Sequence, residues 1–417
     1  MDLDGGYTRL SNGHNSFRIL FSGDFCPIGA VEAACREGKP LNILDQFQDE
    51  IEKKELFVAN LECPLTSSET KISKVGPNLK ADPVAINALL SCKIDIAVLG
   101  NNHIMDYGAD GLCDTLELLE KHNIIGIGAG ENISEAINPF SKIIESIKTS
   151  LLVFCETEFN IAEAHKSGCV SISHQSVFDQ IGDVSESSDI TVVLIHCGSE
   201  HFPLPSPRIK QVCHKIVESG ASAVICHHTH NFEGYEVYDG VPIFYGLGNF
   251  IFDKQYQKTP AHWYEGFMVA IDFNEVSAIG FKIIPYQFDP KEIQVKKLNP
   301  IQTTIFEIRL ALLCEIISDD EKLSKIWKAY SLRRYKYWYS GILRKNQNQF
   351  WKSRKKRALL LWHYMANESH SDIIQTALDA MRKSGDDVDE EIERILCFLI
   401  GKVSWLDRVK NVLRYWI

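Results

Sequence analysis

The sequence predicts an α/β protein with a helical appendage at its carboxyl side. Three observations point there. Short apolar runs of strand length alternate with segments of helical periodicity up to about residue 250. The stretch "YEVYDGVPIFYGL" places an Asp-Gly pair between two β-rich runs. From about residue 300 the composition turns helical, and between 322 and 364 it is also basic and aromatic.

Taken in order, "FRILFSGDF" (17–25), "ELFVANLE" (55–62), "IDIAVLGNNH" (94–103), "TSLLVFCE" (149–156), "DITVVLIHCG" (189–198) and "ASAVICHH" (221–228) read as buried strands. Between them, "ADGLCDTLELLEKHN" (109–123) and "SPRIKQVCHKIVESG" (206–220) have apolar residues at helical spacing and stop at Asn or Gly. Strands alternating with helices predict mostly parallel pairing, and the Asp-Gly pair predicts a tight hairpin after the sixth strand.

The chain has 417 residues, of which 45% are hydrophobic, enough for one large domain plus an appendage. It contains no run of about 18 apolar residues, and its start shows no basic and then apolar leader pattern. Twelve cysteines are scattered without a C-x-x-C pair, several inside apolar runs (Cys155, Cys226, Cys397), as reduced core thiols are. These features predict a cytoplasmic protein. A formal net charge of −11 argues against nucleic acid as the main partner.

The chelating residues fall at strand ends. The first strand ends in Gly23-Asp24, the second in Asn60-Leu61-Glu62, the third in Gly100-Asn101-Asn102-His103, the fifth in His196, and the sixth in His227, His228 and His230. Singly, each has an ordinary structural use: Asp24 as a helix cap, Asn101 or Asn102 in a turn, His196 as a bonded core residue. Together they converge, because loops at the carboxyl ends of parallel strands meet at one crevice. Carboxylate, amide and imidazole donors without thiolate spacing suit an open catalytic site for Mn, Fe or Zn. A carboxylate shared by two ions would make a two-metal hydrolytic centre.

The motifs "GDFCPIG", "NLECPLT", "LGNNHIMDYGADGLCDTLELLEKHNIIGIGAG", "HCGSEH" and "HHTH…YEVYDGVPIFYGLGNFIFD" resemble, in order and spacing, the CapA family of capsule and poly-gamma-glutamate synthesis proteins. That family looks like a branch of the calcineurin-like metallophosphoesterases, so the resemblance implies a four-layer α/β/β/α sandwich over roughly residues 17–290. It implies two divalent metal ions. Asp24 and His230 would serve the first, Asn102, His196 and His228 the second, and Glu62 would bridge them. His103 would contact the reacting phosphoryl oxygen or protonate the leaving group, oriented by Asp106, with His227 beside the metals or facing substrate. Two positions depart from the metallophosphoesterase pattern. Cys26 stands where a histidine is usual, and Glu62 where the bridging residue is usually aspartate. Gly248-Asn249, in "YGLGNFIFD", either closes the site or forms a strand turn behind the histidines.

The expected division is a catalytic unit, 17–298, and a helical region, 299–417. Within the latter, "KLSKIWKAYSLRRYKYWYSGILRKNQNQFWKSRKKRALLLWHY" (322–364) holds thirteen Lys and Arg and no acid. It suits a peripheral membrane contact, an anionic-polymer site, or a solvated face of helices docked on the acidic domain. Three functions follow as expectations: a metal-dependent hydrolase acting on a phosphoester or an anionic polymer, a non-catalytic polyanion-binding accessory of a polymer synthase, or a membrane-surface scaffold. The first two would work beside polymer-synthesis enzymes. A proton-transfer residue beside a metal ligand favours the hydrolase.

Overall fold

The structure is a computed structural model that describes residues 16–253, 262–340, 354–384 and 387–401. Strands β1 (Ser16–Cys26), β2 (Leu56–Leu61), β3 (Ile96–Val98) and β4 (Ile125–Ile127) are separated by helices α1 (Ala30–Arg36), α2 (Gln48–Glu52), α3 (Ile86–Ser91) and α4 (Gly108–Lys121). Next come β5 (Ala129–Gly130), α5 (Ile133–Ala136), β6 (Phe140–Ile144), β7 (Ile147–Cys155), β8 (Gly168–Cys169), α6 (Val177–Glu186), β9 (Ile190–His196), α7 (Pro207–Glu218) and β10 (Ala223–His227). Six strands follow: β11 (Tyr235–Tyr238), β12 (Val241–Phe244), β13 (Asn249–Phe252), β14 (Glu265–Asn274), β15 (Ala278–Asp289) and β16 (Gln294–Lys297). Among the described residues beyond them are the helices α8 (Pro300–Ser318), α9 (Asp320–Arg334), α10 (Arg354–Ala366), α11 (Glu368–Ser384) and α12 (Glu390–Leu399).

Two sheets result. One has the order β16-β15-β14-β1-β2-β3-β4, with β13 paired to the end of β1; the other runs β11-β12-β10-β9-β7-β6. Side-chain alternation shows how they stack. Ile19 and Phe21 of β1, Leu56 and Val58 of β2, and Phe267, Val269 and Ile271 of β14 join Leu152, Val193 and Val224 of the second sheet in one core. Leu20, Phe57, Ala97 and Met268, on the opposite face, join Val31, Ile51, Ile86 and Leu112 of α1 to α4 in another. Helices α6 and α7 cover the outer face of the second sheet through Ile181, Ile209 and Ile216. The layers are therefore α/β/β/α, the order implied by the resemblance.

The expected parallel pairing holds among β1 to β4 and among β7, β9, β10 and β12. The hairpin β11–β12 turns at Asp239 and Gly240, whose φ values of 49° and 81° are those of a type I′ turn. The sequence reading made no element of β6 or of β14 to β16, which pair antiparallel. Strand β6 hides only Ile144, so its polar-rich pattern carries no burial signal. The third strand is shorter than read, because the chain after Val98 leaves the ladder and turns through Asn101.

Helix α8 begins where residue 299 was read as a boundary. Asn299 caps it in a capping box with Gln302, and Pro300 takes the first turn. Leu313 and Ile317 of α8 and Ile326 and Trp327 of α9 pack into the same core as the second sheet. Of the basic segment, residues 341–353 lie outside the described residues. Among the described residues, no helix is long and apolar enough to cross a membrane.

Candidate metal centre

The carboxyl ends of the central strands of both sheets meet at one edge. In the first sheet Asp24 pairs with Asn60 across β1 and β2; in the second, Cys155, His196 and His227 stand side by side. Asp24, Glu62, Asn102, His196, His228 and His230 all lie here, and every one is at most 7% exposed. Two carboxylates among three imidazoles inside a protein need compensation, by mutual bonding or by a cation.

Their atoms converge. The Nε2 of His196 is 3.0 Å from the Asn102 Oδ1, 3.0 Å from the His228 Nδ1 and 3.5 Å from the Glu62 Oε1. A single ring nitrogen carries at most one proton, so it cannot donate to all three; a cation can accept from all of them. On the other side, the His230 Nδ1 is 3.3 Å from the Asp24 Oδ2, and its Nε2 is 3.8 Å from the same Glu62 oxygen. Ligand atoms of Glu62, His196 and His228 lie within 4.8 Å of one another, as do those of Asp24, Glu62 and His230. Glu62 belongs to both groups. The donor chemistry thus fits one or two divalent ions.

Local backbone places the imidazoles. After β10 the chain turns sharply, with φ of 99° at His228 and 57° at His230, conformations that side chains other than glycine rarely adopt. This turn sends His228 toward His196 and His230 toward Asp24. Burial, followed by the charges of neighbouring imidazoles, holds His196 well below its ordinary pKa, and burial also lowers His228. Both are neutral at pH 7, the form that binds metal. Burial pushes the Asp24 carboxyl up, yet His230, His227 and Asn60 outweigh it and keep it ionised.

His103 stands beside Asn102, with its Nδ1 2.7 Å from the Asp106 Oδ2. Burial, then the Lys74 ammonium, pushes its pKa down to about 4. His227 lies buried beside the donors: its Nε2 donates to the Ser22 carbonyl at 3.0 Å, tying the second sheet to β1, and it helps to lower the Asp24 pKa. Cys26 is buried on β1 and belongs to neither donor group.

The sequence reading missed Lys74 and named Asn60 and Asn249 without foreseeing their bonds. Lys74 bonds the Asp106 Oδ1 at 2.6 Å and the Asn102 carbonyl at 3.3 Å; it sits in a polar loop with no periodicity, so nothing distinguished it from a surface lysine. Asn60 donates to the Asp24 Oδ1 at 2.8 Å and lies 3.3 Å from the His196 Nδ1, a role hidden by its place inside an apolar strand. Asn249 offers its Oδ1 to the His230 Nδ1 at 3.0 Å and donates to the Trp263 carbonyl. The glycines of "GD" and "GLGN" mark its approach. A Cβ on Gly23 would lie 1.8 Å from the Gly248 oxygen, which accepts from the Asp24 amide. Gly248-Asn249 thus lies against Gly23 and beside His230, a placement that either reading of this pair allows.

Comparison with known proteins adds a family. The model of the bacterial capsule synthesis protein PGA_cap family matches residues 18–254. The PGA biosynthesis protein CapA of Bacillus subtilis (strain 168) is 30% identical over 244 residues, covering 57% of this chain and 64% of that protein. The capsule biosynthesis protein CapA of Bacillus anthracis is 30% identical over 209 residues, 48% of this chain and 51% of that one. The chain thus spans less than two thirds of the length of these relatives. Among solved structures, a novel phosphatase from Mycoplasma pneumoniae aligns over 70% of this chain and 98% of its own, at 11% identity and a TM-score of 0.42.

Proposed function

Because the chain belongs to the bacterial capsule synthesis protein PGA_cap family, we propose that it is a metal-dependent hydrolase of phosphoesterase type serving the synthesis of a poly-gamma-glutamate-like surface polymer. One observation carries the hydrolytic reading: the Glu62 carboxylate is common to two groups of buried donors. Asp24 and His230 would hold one divalent ion, Asn102, His196 and His228 the other, with Glu62 between them. Ions bound there supply Lewis acidity and a water activated at neutral pH.

The chain's own residues do the rest. Asn60 and Asn249 fix the rings and carboxylate that face the ions, as partners behind metal ligands do. Asp106 holds the Nδ1 of His103 and leaves the Nε2 to exchange a proton with the reacting group. With its pKa pushed down to about 4, an imidazolium formed there gives its proton up readily. Substrate is an anionic polymer or phosphoester, and polymer-synthesis enzymes are the expected partners. Residues 17–298 would be the catalytic unit, attended by helices α8 to α12.

Turnover of a generic phosphodiester and of poly-gamma-glutamate, before and after chelation and on restoring Mn or Zn, tests this. Metal-dependent cleavage of either supports the reading. Metal retention without cleavage would favour the second reading, a polyanion-binding accessory, which the departures at Cys26 and Glu62 also support.

A further inference from the structure

The helices beyond residue 300 lie outside the matched family region, yet they are fastened to the edge that carries the donors. Glu368 of α11 accepts from the Thr157 amide at 2.6 Å and the Ser173 hydroxyl at 2.6 Å, in and beyond the loop after β7. Ser369 donates to Glu156 at 2.9 Å, and the Glu156 amide donates to the His196 carbonyl. On the loop after β9, the Ser199 hydroxyl lies 2.8 Å from the Tyr330 hydroxyl of α9.

Between these anchors runs a continuous layer of rings. Phe159 stacks on His363 with centroids 5.5 Å apart, and His363 meets His370 at 4.7 Å. The His370 Nδ1 lies 2.7 Å from the Tyr339 hydroxyl. Asn160, next to Phe159, donates to the Asn101 carbonyl at 2.9 Å, so the layer adjoins the loop that presents Asn102 and His103. The charge of the Lys74 ammonium, which bonds Asp106 beneath His103, also reaches His363.

The layer contains two side chains with a nitrogen that packing leaves without a partner among the described residues. His363 is 6% exposed, and its Nδ1 has no hydrogen-bond partner among the described residues. Arg334 hydrogen-bonds the Tyr330 side chain, but its Nε has no hydrogen-bond partner among the described residues; its guanidinium lies 4.8 Å from the Trp338 ring and 5.9 Å from that of Tyr330, which hold it in place. A buried imidazole nitrogen without a partner is costly unless a ligand satisfies it.

We propose that this layer is the substrate-side wall of the metal centre and that Arg334 and His363 bind an oxyanion of the substrate, a carboxylate or a phosphate. Its location rests on the reading of the Glu62 cluster as the reaction centre; its anion binding does not. The full chain and its His363→Phe and Arg334→Met variants, which keep the ring and the aliphatic stem, are titrated calorimetrically with inorganic phosphate and with a poly-gamma-glutamate oligomer. Metal content and unfolding midpoint are measured alongside. The expected result is retained metal and midpoint with affinity for one probe reduced roughly tenfold or more in each variant, the worth of a charge-assisted hydrogen bond; the probe that weakens names the anion. A wild-type chain that hydrolyses nothing but shows this loss supports the wall while removing the hydrolase reading. The proposal is overturned if wild type binds neither probe, if both variants bind as wild type does, or if binding is lost together with metal.

Discussion

Lys74→Met is the perturbation that most sharply separates packing from electrostatics beneath His103. The Lys74 and Asp106 side chains are 2% and 0% exposed, and their charged atoms are 2.6 Å apart. Removing the ammonium leaves a buried carboxylate whose remaining donors are the Leu79 amide at 2.6 Å and the His103 Nδ1. Breaking one partner of a buried ion pair costs about 3–5 kcal/mol; the surviving donors place Lys74→Met near about 3 kcal/mol. Asp106→Asn should cost a similar amount by stranding the ammonium. The double variant Lys74→Met/Asp106→Asn removes both charges, so the losses should fail to add by about 2 kcal/mol or more. Urea unfolding of the four metal-stripped proteins measures the cycle. Additive losses, or a Lys74→Met variant as stable as wild type, would refute the pairing argument.

Three further outcomes follow from the same geometry. Gly23→Ala puts a methyl group on the Gly248 oxygen, so it should lower both the unfolding midpoint and metal content; a variant with wild-type metal would contradict the tight crossing. His103→Gln should keep its metal and lose on the order of 10²–10⁴ in turnover, and loss of metal instead would make His103 a ligand. Burial depresses His363 to about 4 and His370 to about 3, so the unfolded chain binds more protons than the folded one from there up to the ordinary value of about 6.5. Stability of the metal-stripped chain should therefore be full above pH 6.5 and fall on acidification, His363 alone contributing about 3 kcal/mol by pH 4. Chemical unfolding between pH 7.5 and 5 checks this, and a flat profile would count against it.

The clustering of the donor residues was legible because parallel strands impose an address. Asp24, Glu62, Asn102, His196 and His228 each follow an apolar run, and the rule that such ends converge needs no knowledge of distance. The hairpin was legible for a similar reason, since Asp239-Gly240 permits the left-handed pair a type I′ turn demands. What escaped acts across the fold. Lys74 reaches Asp106 from 32 residues away, and its neighbours in sequence carry no sign of it; Asn249, 19 residues from His230, was marked by its glycines but not by its partner. The bond from His227 to Ser22 was not foreseen, because three histidines in four positions conceal which sheet each ring faces. The antiparallel strands β14 to β16 carry no chemistry, and nothing at their ends drew notice. The helical region was read from composition, which reveals helices but not that Glu368 and Ser369 bind the loop and strand end beside His196.

Metal stoichiometry by elemental analysis of wild type, Glu62→Gln and His228→Ala bears most directly on the shared carboxylate. Glu62 lies in both donor groups and His228 in one. Wild type should bind up to two equivalents of divalent metal, His228→Ala should lose one of them, and Glu62→Gln should weaken both. A wild-type protein that takes up no metal, or a Glu62→Gln variant whose metal content matches wild type, would contradict the account.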